Sequence, residues 1–202
     1  MLLERHWTFG QHPRWVYVIK FNSDAEWFVE TEDLSVAGLS SALGSVPVPA
    51  EELMQLFSQA QDFGMEYTAE DLLDFAKANA VKLIEEYDNS TAVNIFYLAG
   101  QPLWLDAATR QQLRISIEAY QEQGEETITK WFGGQQYTFP TALWLVMLNA
   151  LEVYAGDALN VTERHKATVS LMESVEEVLA YDITADYPEP LNLTPQWLQQ
   201  HI

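Results

Sequence analysis

Apolar and polar positions divide this chain into short stretches of β type and longer stretches of helical type. Residues 14–21 are β-branched and aromatic, and residues 26–31 match them across Asn22-Ser23-Asp24-Ala25. This predicts a β-hairpin with a four-residue loop. Residues 34–50 are weakly charged, rich in Ser, Gly, Ala and Val, and end in Val46-Pro47-Val48-Pro49. Proline resists continuation of helix or sheet, so this stretch reads as a linker. The predicted organisation is an N-terminal hairpin segment over 1–33, a linker over 34–50, a larger unit over 51–191 and a tail over 192–202.

From residue 50 the period becomes helical. Leu53, Leu56, Phe57 and Ala60 share one face, with Glu51 and Glu52 in the first turn and Gly64 as the stop. Thr68 and Asp71 form a start of capping-box type for a helix over 69–87, with Leu72, Phe75, Ala76, Ala80, Leu83 and Ile84 as its stripe. Val93, Ile95 and Tyr97 then alternate with neighbours in a strand, Ala99-Gly100-Gln101 turns, and Leu103-Trp104-Leu105 returns. Asp106 is a good N-cap for a helix that carries Leu113, Ile117 and Tyr120 and ends at Gly124. Residues 127–132 and 135–139 pair across Gly133-Gly134, a dipeptide suited to the positive φ of a two-residue hairpin. Pro140 and Thr141 open a further helix with a wide apolar face, loosened at Gly156. A last short helix covers Val175 to Tyr181. The order of elements argues α+β with antiparallel hairpins packed against helices.

Composition and charge narrow the function. The chain has 202 residues, 48% of them hydrophobic and 12% aromatic, enough to bury a core in one domain or two small ones. It has no cysteine, which removes disulfides, thiolate nucleophiles and the usual structural zinc sites. No apolar run approaches the roughly 20 residues that cross a bilayer, and the first residues lack a signal-peptide core. No membrane association is therefore expected. The net charge of −20 is uneven: twelve acids and no Lys or Arg lie between Phe21 and Ala76, and six acids and no Lys or Arg between Ala167 and Ile202. Such a surface repels phosphate backbones, so direct nucleic-acid binding is not expected. High charge serves solubility first; beyond that it suits docking on a basic partner or occupation of a DNA-binding protein.

Catalytic and cofactor motifs are missing from the sequence. His6, His12, His165 and His201 fall in no metal-ligand spacing, and His165 reads as a helix-surface contact or capping group. There is no phosphate-binding glycine loop, serine-hydrolase elbow or calcium loop. Paired acids such as Asp71 with Asp74 arise by chance among thirty. No cofactor is expected.

Aromatic residues carry the remaining signal, because Trp and Tyr dominate binding hot spots. Trp104, Trp131 and Trp144 are expected to fill the core. Trp7, Phe9 and Trp15 at one end, and Trp197, Leu198 and Ile202 in a helical turn begun by Pro195 at the other, are candidate partner-binding residues. No periodic Trp/Asn/Asp pattern marks a carbohydrate platform.

A further set of residues recurs in a recognisable order. Phe96-Tyr97-Leu98-Ala99-Gly100-Gln101-Pro102-Leu103-Trp104-Leu105-Asp106 leads to Arg110. Gly124, Trp131, Gly133, Gly134 and Leu148-Asn149-Ala150-Leu151-Glu152-Val153-Tyr154 follow, then His165-Lys166-Ala167 and Tyr181-Asp182-Ile183-Thr184-Ala185-Asp186-Tyr187-Pro188. Over residues 80–191 this resembles a domain of tailed-bacteriophage and prophage proteins, found near tail-fibre or tail-assembly components, that has no established chemistry. The resemblance implies structural rather than catalytic roles for these residues, and a virion component assembled in the host bacterial cytoplasm. Its implied partners are other phage structural or assembly proteins, or a second copy of the chain. The alternative is a phage-encoded acidic inhibitor of a basic host protein.

Overall fold

Residues 2–9, 12, 14–20 and 28–200 are described by a computed structural model of the chain. The strands are β1 (Leu2–Thr8), β2 (Arg14–Lys20), β3 (Phe28–Thr31), β4 (Phe96–Leu98), β5 (Gln101–Leu103), β6 (Thr127–Phe132), β7 (Gln135–Pro140) and β8 (Leu191–Leu193). The helices are α1 (Val36–Leu43), α2 (Ala50–Asp62), α3 (Ala69–Asp88), α4 (Ala107–Glu122), α5 (Thr141–Leu171), α6 (Val175–Ala180) and α7 (Pro195–Gln200). The fold is α+β. It comprises two units, each made of two separated stretches: Met1–Glu86 with Arg164–Ala185, and Tyr87–Glu163 with Asp186–Ile202.

In the first unit β2 is the centre of an antiparallel sheet, with β1 on one side and β3 on the other. The β2–β3 pairing agrees with the sequence, while the loop joining them lies outside the described residues. β1 was not foreseen, because its buried positions are too few to mark a strand. The expected linker is also replaced by ordered structure. Ser35 caps α1, its hydroxyl oxygen accepting the Gly38 amide at 3.0 Å. Gly38 lets that helix lie against Asp33, whose carbonyl oxygen would stand 2.1 Å from a Cβ placed there. Leu39, Leu43 and Val48 are buried. Buried Asn79 of α3 holds both backbone polar groups of Val48, accepting from its N–H and donating to its carbonyl oxygen, each at 2.7 Å. Prolines on either side block regular structure at Val48, so a side-chain amide supplies the hydrogen bonds that a strand would have supplied.

α2 and α3 match their expected faces. Leu53, Leu56, Phe57 and Ala60 are buried, as are Leu72, Phe75, Ala76, Ala80 and Ile84. The capping box at α3 is formed in both directions, Thr68 N–H donating to Asp71 and Asp71 N–H to the Thr68 hydroxyl. Val169 and Val178 complete this core from the C-terminal side of the chain.

The second unit holds residues 87–163 and 186–191 of the stretch that carries the resemblance, while His165 and Tyr181 belong to the first. β4 and β5 turn through Ala99 and Gly100, both at positive φ. The strands are shorter than expected, with Val93 preceding β4 and Trp104 following β5. β8 pairs with β4 in parallel, Phe96 opposite Leu191 and Leu98 opposite Leu193, so this sheet is mixed rather than purely antiparallel. The β6–β7 hairpin has the expected two-residue turn, Gly133 at φ +55° and Gly134 at φ +78°, with Phe132 opposite Gln135. Asp106 caps α4 as expected, accepting from Thr109 N–H at 2.7 Å. α5 continues through Gly156 without the expected loosening.

Two further expectations are corrected. Trp131 is 65% exposed: strand alternation puts Ile128 inward and Trp131 on the opposite face with Thr129. Trp104 is half-buried, and of the three tryptophans only Trp144 lies in the core, donating its indole N–H to the Ile128 carbonyl at 3.2 Å. The tail is likewise no free anchor. Leu193 and Leu198 are buried and Trp197 packs on the same cluster, while Ile202 lies outside the described residues. α5 also has an 18-residue window of mean hydropathy 1.3, long and apolar enough to cross a bilayer by length and composition. Its Leu143, Trp144, Met147, Leu148 and Leu151 are buried within the protein, as in the core helix of a folded domain.

These placements predict opposite outcomes at two apolar positions. Leu193→Ala is expected to cost about 2–5 kcal/mol through lost burial and an unfilled cavity, whereas Trp131→Ala is expected to stay within about 0.5 kcal/mol. Chemical denaturation of the two variants measures the difference, and equal costs would contradict it.

Candidate functional sites

In the first unit, β1 and β2 share a face along which register sets Leu3 opposite Ile19, Arg5 opposite Tyr17, and Trp7 opposite Trp15. The end bearing Leu3 and Ile19 is buried in the core. The other end is open. Trp7 is 42% and Trp15 45% exposed, their rings meeting edge to face with centroids 5.0 Å apart. The Arg5 guanidinium lies 4.0 Å from the Trp15 ring centroid, within reach of a cation–π attraction. Phe9, just past β1, is 91% exposed. β1 is an edge strand, and the Leu3 N–H on its outer side donates to Gln59 at 2.6 Å. On the opposite face of these two strands Lys20 and His6 meet Glu4, and Arg14 meets Glu32. Trp7, Phe9 and Trp15, expected at a partner surface from sequence, are therefore exposed, and two of them form one cluster with Arg5. Trp197 and Leu198 belong to a core instead.

In the second unit, the family-like residues Trp104, Asp106 and Arg110 line an open cleft of about 470 Å³. Arg110 is buried within the first turns of α4, and its charge is matched from α5. Its Nε donates to Glu152 at 3.0 Å, one terminal nitrogen to the Leu105 carbonyl at 2.6 Å, and its guanidinium lies 5.5 Å from the Trp104 ring centroid. A buried guanidinium requires such pairing, because taking an unpaired charge out of water costs several kcal/mol. Trp104 also meets Tyr154 edge to face. The Tyr154 hydroxyl donates to the Val93 carbonyl at 2.7 Å, and burial raises the pKa of its phenol, which stays a neutral donor. Asp88 accepts from Thr162 at 2.7 Å and Thr162 also meets Tyr187, which stacks edge-on against Tyr87.

Several of the other family-like positions pack within the chain or turn it. His165 is buried rather than on a helix surface, with Nδ1 2.6 Å from the Tyr181 hydroxyl and Nε2 2.9 Å from the Ala185 carbonyl. A carbonyl oxygen only accepts, so Nε2 donates to Ala185. Gly124 takes positive φ after α4, and Pro188 is half-buried in the segment leading to β8. Sequence reasoning had no signal for Asn79 or Thr162, and met Glu152 only within the run that carries the resemblance, without a role; each is a polar residue on a helix whose role depends on a distant partner. Among the described residues, no group of three or more His, Asp or Glu is arranged to hold a metal ion. No protein-family model, curated protein or solved structure matches the chain.

Asp106 sets a testable pH response. The Thr109 amide, followed by the Thr109 side chain, holds its carboxyl below the usual range. A carboxyl lowered by folding contributes stability above its unfolded pKa and loses it as pH falls through the folded value. The difference in melting temperature between the wild type and Asp106→Ala should be full at neutral pH and shrink once pH drops below about 4. Thermal melts across that range check this, and a difference that widens on acidification would contradict it.

Proposed function

We propose that this protein is a non-enzymatic structural or interaction protein of a tailed phage, a virion or tail-associated component or an assembly factor. It docks on another phage structural or assembly protein, or on a second copy of itself. The single observation that carries the docking role is the Trp7–Trp15–Arg5 cluster, which leaves aromatic rings at the open end of a sheet face whose other end is buried. Such residues form interface hot spots because they bring a large apolar area and a directional charge to one spot. Trp144, by contrast, is buried in a core. The phage setting rests on the resemblance over residues 80–191 and supplies the virion location, with assembly in bacterial cytoplasm.

Charge supports the same reading. An acidic body accelerates approach to a basic partner, and the aromatic–arginine cluster holds it on contact. Nucleic acid is a poor partner for a chain of net charge −20. The absence of a recognisable catalytic motif accords with a binding role.

Mass spectrometry of purified particles tests the proposal: the protein should be present at fixed stoichiometry. Trp15→Ala should lower its incorporation on the order of tenfold while changing stability by about 1 kcal/mol or less. Association with the partner should slow as salt rises, since charges are screened beyond about 10 Å at 0.1 M. Early appearance in infection together with absence from particles would overturn the virion role and favour the acidic inhibitor.

A further inference from the structure

We propose that the cleft lined by Trp104, Asp106 and Arg110 binds a neutral saccharide of one or two rings. This site lies in the second unit and does not depend on the Trp7–Trp15 patch. Its volume of about 470 Å³ falls in the range of roughly 300–1,000 Å³ typical of small-molecule sites. Its walls combine an indole and the aliphatic Leu159 with the polar side chains of Asp88, Asn94, Asp106 and Arg110. A pyranose matches that mixture, since its hydroxyls both donate and accept and its ring carries an apolar C–H face for an aromatic surface.

The polar groups are already held in place. Glu152 and the Leu105 carbonyl fix Arg110, Thr162 holds Asp88, Asn94 donates to the Asp88 carbonyl, and Thr109 holds Asp106. Trp104 is confined between Tyr154 and Arg110. Little side-chain freedom remains to be lost on binding, which matters most for a weakly held ligand such as a sugar.

Charge decides against other small ligands. Two carboxylates line the cleft, and Glu152 offsets its one guanidinium. At the start of α4 the Thr109 amide already donates to Asp106. An anionic ligand is therefore repelled. A neutral one satisfies the same groups without that cost.

The test presents the full chain with an array of neutral, sialylated and sulfated glycans, followed by titration calorimetry with the strongest neutral binder. Saturable retention of neutral glycans is expected. Trp104→Ala should weaken binding on the order of tenfold or more. Because that change also removes a contact to Tyr154, Leu159→Glu provides a second variant. Leu159 is 55% exposed, so the substitution should keep the melting temperature while narrowing the cleft and weakening binding by a similar factor. Retention of no glycan, or of anionic glycans alone, would overturn the proposal. So would neutral-glycan binding unchanged in Leu159→Glu, or a peptide that binds the cleft in its place with Leu159→Glu abolishing its binding. Particle incorporation is read separately through Trp15→Ala, so failure of either proposal leaves the other standing.

Discussion

Burial of apolar side chains from distant parts of the chain is the interaction on which both units depend. In the first, Val169 and Val178 join a cluster otherwise built from residues before Glu86. In the second, Leu193 and Leu198 join Phe96, Leu98, Ile117 and the apolar face of α5. Each fully buried side chain of this size contributes roughly 1.5–3 kcal/mol, so neither late segment is an optional appendage. The order of closure also explains the parallel β4–β8 pair: a strand that arrives after α5 and α6 can enter beside β4 without a tight turn, and parallel pairing needs such a long connection.

Polar side chains settle what apolar burial leaves unsatisfied. Asn79 supplies both hydrogen bonds to Val48 where the flanking prolines prevent regular structure. Arg110 is admitted to the interior because Glu152, a backbone carbonyl and an indole surround it. Thr162 links Asp88 and Tyr187. In each case a group on a helix completes a backbone or charged group from another segment. The two candidate sites differ in this respect. The Trp7–Trp15–Arg5 patch extends a buried sheet face into solvent, whereas the Trp104 cleft is framed by an internal polar network.

Local rules made much of the fold readable in advance. The Thr68–Asp71 box, the Asp106 cap, the Gly133-Gly134 turn and the stripe of α2 each depend on neighbours within a few residues, and each has its expected form. β1 escaped because a strand that is half-exposed beside a single neighbour carries little alternation. Residues 34–50 were misread because proline and small residues describe the backbone they permit and leave open whether another segment covers them. The site residues followed the same division: exposure of Trp7 and Trp15 accords with their placement near one end, but the meeting of Trp104, Arg110 and Tyr154 was invisible as geometry.

The sequence by itself determined the helix caps, the hairpin turns, the apolar stripes and the acidic character, since these follow from residue chemistry and short-range spacing. Only the tertiary structure decided that 34–50 is ordered, that the last residues belong to a core, that Trp131 faces solvent and that Arg110 is buried against Glu152. The reason is physical. Capping and turn energies depend on contacts a few residues apart, whereas burial depends on which distant surfaces meet, and a tryptophan of the same local pattern serves a core or a surface according to that meeting alone.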